Sequence, residues 1–97
     1  MKRQNQCDFT KFYKAVLSLK NEQECSAFFN DVCTIQELEA LAQRMEVAIR
    51  LKNKESYIDI NKQTGASTAT ISRVSKYLNY GAGGYELAIE RLDKEDK

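Results

Sequence analysis

Ninety-seven residues, 42% apolar and 30% charged at a net charge of +1, describe one folded domain rather than a disordered or uniformly polycationic chain. No run of about 18 apolar residues is present, which excludes a membrane-spanning helix, and the opening MKRQNQCDFTK lacks the apolar stretch of a signal peptide. Proline is absent and glycine stands only at positions 65, 81, 83 and 84, punctuation too sparse for a many-turned β protein, so the expected fold class is all-α, with about six helices.

Residues 1–7 are polar and expected to fray. Asp8 is a candidate N-cap for a first helix carrying Phe9, Phe12, Tyr13, Val16 and Leu17 or Leu19 at three- and four-residue steps, ending at Lys20-Asn21. Asn21 followed by Glu24 reads as a capping box for a second helix with the apolar stripe Cys25, Phe28, Phe29 and Val32. Paired Phe residues at this spacing are core-forming, and a face so apolar on so short a helix points to a subunit interface for part of it. A chain of this length has little core to spare, and a second subunit would cover faces that a lone chain exposes.

Thr34 with Glu37 forms another capping box. It opens the longest periodic stretch, Leu38, Leu41, Ala42, Met45, Ala48, Ile49 and Leu51, with Glu37, Glu39, Gln43, Glu46 and Arg50 on the other sides. This central helix is predicted to run to about Lys52, roughly 27 Å at about 1.5 Å per residue. After the connector Asn53-Lys54-Glu55, Ser56 caps a short helix with Asp59 three residues on, and Gly65 ends it as a left-handed residue. Ser67 caps the next helix, predicted to reach Leu78. Residues 79–84 read as a loop, and Tyr85, Leu87, Ala88, Ile89 and Leu92 as a last helix fading into a charged tail.

Two short helices joined by a tight glycine turn form the pattern of a helix-turn-helix, spanning Ser56 to Tyr80. At 100° per residue, Ile71, Val74 and Leu78 share one face of the second helix, while Ala69, Ser72, Arg73 and Lys76 lie opposite. Small side chains let such a helix approach base edges in the major groove. Ala69 and the methyls of Thr68 and Thr70 suit a thymine methyl; Ser72 and the threonine hydroxyls suit base edges or phosphates. Arg73 and Lys76 suit phosphates, and the N-terminus at Ser67 presents free N–H groups to one. The candidate DNA-binding residues are therefore Ser67, Thr68, Ala69, Thr70, Ser72, Arg73 and Lys76. Asn61 stands where most such motifs carry a small apolar residue, and is read as solvent-facing or hydrogen-bonded.

Charge is unevenly spread. Residues 21–51 carry six acidic and two basic side chains, whereas Ile60 through Tyr85 contains no Asp or Glu but has Lys62, Arg73 and Lys76. Cys7, Cys25 and Cys33, an odd number without close pairs, argue for reduced thiols and against a disulfide framework or a zinc site. With no histidine in the chain, the cysteines have no evident base, and no catalysis is expected. The glycines at 81–84 lack the surroundings of a phosphate loop.

TGASTATISRV, followed by YLNYG and preceded by TIQELEALAQRMEVAIRL and LSLKNEQECSAFFNDVCT, resembles the Trp-repressor superfamily, and within it the YerC/YecD group of Trp-repressor-related proteins. The resemblance extends from about Phe9 to Leu92. It implies a cytoplasmic bacterial DNA-binding regulator, a repressor, folded as an intertwined homodimer whose two reading helices meet successive major grooves about 34 Å apart. On that pattern the chain is a single domain, with residues 1–55 as dimerisation helices, 56–80 as the helix-turn-helix and 81–97 as a C-terminal helix and tail.

The tryptophan-contacting residues of the family match Thr34, Arg44 and Arg73 here. The glycine that makes room for the indole is matched by Val74, whose side chain is expected to fill that space, so tryptophan is not expected as a co-repressor and no cofactor is implied. Arg44 is read instead as a helix-surface ion-pair partner of a nearby Glu, and Arg73 as a phosphate contact. Double-stranded DNA and a second copy of the chain are the expected partners. The alternative is a protein-interaction module that uses the same helices as a scaffold.

Overall fold

A computed structural model describes residues 8–95, all helix and connection, with six α-helices. They are α1 Phe9–Leu17, α2 Glu22–Val32, α3 Ile35–Lys52, α4 Tyr57–Thr64, α5 Thr68–Tyr80 and α6 Gly84–Glu95. The expected fraying of residues 1–7, and Cys7, lie outside the described residues. The chain divides into two compact units between Leu38 and Glu39.

Local chemistry sets the helix starts. Asp8 Oδ1 accepts from the Lys11 N–H at 3.1 Å, and Asn21 Oδ1 from the Glu24 N–H at 2.8 Å. Thr34 and Glu37 form a reciprocal box: Thr34 Oγ1 accepts from the Glu37 N–H at 3.1 Å, and Glu37 Oε1 from the Thr34 N–H at 2.8 Å. Helix α1 stops three residues earlier than the periodicity predicts. Ser18 Oγ donates to the Ala15 carbonyl at 2.6 Å, and the Lys20 N–H is taken by Glu24 Oε1 of the next cap at 2.8 Å.

In the first unit the aromatic side chains of α1 and α2 meet one another. The Phe12 and Phe28 rings lie 5.9 Å apart, and Phe28 meets Phe29 edge-on at 5.2 Å. No residue of α1 or α2 is fully buried. Leu17 is 82% exposed, and Phe9, Tyr13 and Val32 are exposed too. Cys25 and Cys33 are free thiols and half-buried.

The core lies in the second unit: Val47 and Ala48 of α3, Ile60 of α4, Ala66 of the turn, Ile71, Val74 and Leu78 of α5 and Ile89 of α6. Burying each large aliphatic side chain contributes about 1.5–3 kcal/mol. Met45, Ile49, Leu51 and Tyr85 pack against this cluster. Two expectations for α3 change here. Val47 is fully buried although the apolar stripe omitted it, and Leu41 and Ala42, which the stripe included, are exposed.

Helix α3 closes on Lys54 at φ 68°, with the Glu55 N–H on the Arg50 carbonyl at 3.1 Å and the Lys54 N–H on Leu51 at 3.0 Å. That is a Schellman closure with lysine in the left-handed position. Helix α5 runs two residues beyond the predicted end, so the loop before α6 shrinks to residues 81–83. Asn79 Nδ2 donates to the Ser75 carbonyl at 2.9 Å, which keeps this residue helical instead of ending the helix.

Candidate nucleic-acid interface

Helix α4 is capped by Ser56, whose Oγ accepts from the Asp59 N–H at 3.1 Å. It ends at Gly65, φ 76°, where a residue with a Cβ would be strained. Polar side chains then lock the turn. Asn61 Nδ2 donates to the Ala66 carbonyl at 2.8 Å, so Asn61 is both exposed and hydrogen-bonded. Thr64 Oγ1 donates to the Ile60 carbonyl at 2.7 Å and accepts from the Ala66 N–H at 3.1 Å. Gln43 of α3 reaches the Thr64 carbonyl at 3.1 Å; its position among the surface residues of α3 gave no sign of this. Ile60 and Ala66, both fully or almost fully buried, fix α4 and the turn onto the core.

Helix α5 begins at Ser67, whose Oγ accepts from the Thr70 N–H and donates to Thr70 Oγ1, both at 3.1 Å. Ile71, Val74 and Leu78 point into the core, as the wheel predicts. The seven candidate DNA-binding residues divide between two settings. Ser67 and Thr70 are engaged with each other in the cap, and Thr70 is half-buried. Thr68, Ala69, Ser72, Arg73 and Lys76 are exposed on the solvent side.

Tyr77 completes that side and was not among the candidates. The Arg73 guanidinium lies 5.6 Å and the Lys76 ammonium 5.8 Å from its ring centre. The signal was present in the sequence: Tyr77 stands one turn after Arg73, within about 40° on the wheel.

Among the described residues the ion pairs are Arg50–Glu46 at 2.9 Å, Arg50–Glu55 at 3.1 Å and Lys52–Glu86 at 2.8 Å. The hydrogen bond to Glu55 raises the Arg50 guanidinium above its ordinary value; desolvation opposes this and Glu46 adds to it. The expected pairing of Arg44 with a Glu is therefore corrected. Arg50, six residues further along α3, holds Glu46 and Glu55 instead, because Glu46 lies one turn before it and the Schellman closure brings Glu55 back to it.

The three residues matched to tryptophan contacts fall in different settings. Thr34 belongs to the first unit, with its hydroxyl in the α3 cap. Arg44, half-buried on α3, and the exposed Arg73 belong to the second. Val74 is 1% exposed and sits in the shared core of α3, α4 and α5. Among the described residues, no group of three or more His, Cys, Asp or Glu is placed to hold a metal, and no helix is long and apolar enough to cross a membrane.

Comparison with known proteins agrees with this architecture. The uncharacterized protein YerC of Bacillus subtilis (strain 168) is 47% identical over 89 residues, covering 92% of this chain and 86% of that protein. The crystal structure of a TrpR-like protein from Eubacterium eligens ATCC 27750 matches with a TM-score of 0.84 at 52% identity, over 87% of each chain. A crystal structure from Staphylococcus aureus matches with a TM-score of 0.85 at 40% identity, over 88% of this chain and 85% of that one. A family profile described as Trp repressor protein covers residues 7–93. The chain belongs to the Trp repressor family.

Proposed function

We propose that the protein is a cytoplasmic, sequence-specific DNA-binding transcriptional regulator, a repressor that works as a homodimer and inserts α5 into the major groove. The observation that carries this reading is the solvent side of α5. Thr68, Ala69 and Ser72 leave the first turns low and uncrowded, and Arg73 and Lys76 follow, clear of any carboxylate ion pair among the described residues. Small residues meet base edges and the cations hold phosphates. The rigid turn built by Asn61, Gly65 and Thr64 sets the angle at which α5 is presented.

The apolar side chains that α1 and α2 leave in solvent, Phe9, Tyr13, Leu17 and Val32, support a second copy of the chain as their cover. Two copies give two reading helices and a palindromic target. The core position of Val74 supports regulation without tryptophan, since a buried valine occupies the place of the family's indole-admitting glycine. No catalytic role is assigned to any residue.

Selection of bound duplexes from a random DNA pool tests the proposal. The expected product is a near-palindrome with half-sites about one helical turn apart. A pool that shows no enrichment after repeated rounds would overturn sequence-specific binding and favour the interaction-module alternative.

A further inference from the structure

Two cations of α5 converge on one aromatic ring. The Arg73 guanidinium and the Lys76 ammonium lie 5.6 Å and 5.8 Å from the centre of Tyr77. With Ala69 and Thr70, these three side chains line a concavity of about 460 Å³ on the solvent side of the helix. Tyr77 is 47% exposed, so its ring is a surface feature rather than a core one.

Cations three residues apart on a helix repel each other. Many proteins relieve this with a carboxylate, but residues 60–85 contain none, and the ion pairs among the described residues use Arg50 and Lys52 as their cations. The electron-rich face of Tyr77 attracts both charges without neutralising either. A phosphate would complete the arrangement: the guanidinium offers a planar fork of donors and the ammonium a mobile point charge. Holding both cations at one ring also lowers the entropy lost when they close on an anion.

We propose that Arg73, Lys76 and Tyr77 form one phosphate clamp, in which Tyr77 is a positioning residue that holds both cations over a single backbone phosphate of duplex DNA. The clamp rests on the DNA-binding reading above and deepens it. It supplies affinity and register on the duplex, and no base preference.

Equilibrium binding of the full chain to the selected duplex tests the clamp. Tyr77→Ala is expected to weaken binding about five- to tenfold, and Tyr77→Phe, which keeps the ring face, to stay within about twofold of the parent. In a background lacking both cations, Arg73→Ala with Lys76→Ala, Tyr77→Ala is expected to cost less than about twofold, because the ring acts through those two side chains. An equal loss in both backgrounds, or a Tyr77→Phe loss as large as that of Tyr77→Ala, would overturn the positioning role. Inorganic phosphate is expected to displace DNA no better than sulfate at the same ionic strength. Stronger displacement would assign the clamp to a free anion and overturn the duplex assignment. If the parent protein binds no duplex at all, the DNA-binding reading fails; if it binds and Tyr77→Ala binds as well, the clamp alone fails.

Discussion

The side-chain amide of Asn61 crosses the helix-turn-helix turn, its Nδ2 donating to the carbonyl oxygen of Ala66 at 2.8 Å. The acceptor belongs to a residue only 1% exposed, one step beyond the left-handed Gly65. A helix side chain thus ties down the backbone just before the Ser67 cap, and with it the direction of α5. Asn61→Ala removes the donor and leaves that carbonyl without it. The expected loss is about 1 kcal/mol of stability, read from the midpoint and slope of urea unfolding. An unchanged midpoint would show that the turn does not depend on this bond.

The glycines on either side of α5 are required for different reasons, and alanine distinguishes them. At Gly65 the surroundings are open and only the left-handed backbone resists a Cβ, so Gly65→Ala is expected to cost about 1 kcal/mol. At Gly81 the backbone is extended, but a Cβ would overlap the Tyr77 carbonyl, which is backbone and cannot swing away. Gly81→Ala is expected to cost about 2–3 kcal/mol. Thermal unfolding of the two variants checks the order; Gly65→Ala as the more damaging change would contradict it.

Much of this architecture is legible in the sequence because it is set by neighbours three or four residues apart. The caps at Asp8, Asn21, Thr34, Ser56 and Ser67 all form, and Ile71, Val74 and Leu78 turn inward as their spacing predicts. What the spacing hides depends on which helix packs where. Helix α3 carries apolar residues on more than one side, so its pattern alone cannot choose Val47 over Leu41 for the core. Gln43 meets Thr64 across 21 positions, a pairing with no local signature. Tyr77 is hidden for another reason: an aromatic residue at the edge of a polar face reads as packing until its two cationic neighbours are seen together.

Val74 bears on the ligand. A buried valine among α3, α4 and α5 is expected to leave no room for an indole, so L-tryptophan should not raise the thermal midpoint. A ligand present at a hundred times its Kd would add about 2.7 kcal/mol, well within detection. A dose-dependent stabilisation that saturates would contradict the assignment of Val74.

The exposed apolar faces of α1 and α2 predict the oligomeric state. Sedimentation equilibrium at micromolar concentration should give twice the 11.1 kDa mass of the chain. Replacing Leu17, 82% exposed, with Glu should shift the protein towards the single-chain mass, because a charge would be buried where the second copy covers it. A parent protein that sediments only at 11.1 kDa would remove the dimer from the account.

The presentation of α5 to DNA is tested most directly by duplex affinity across a salt series, with the parent protein beside an Arg73→Ala, Lys76→Ala double variant. Each phosphate contact contributes a slope of about −0.9 to the logarithm of affinity against the logarithm of salt concentration. The parent is predicted to bind at low salt and weaken steeply as salt rises. The double variant, still a dimer, is predicted to bind far more weakly and with a shallower slope. No binding by the parent at low salt, or the same affinity and slope for both proteins, would contradict the account.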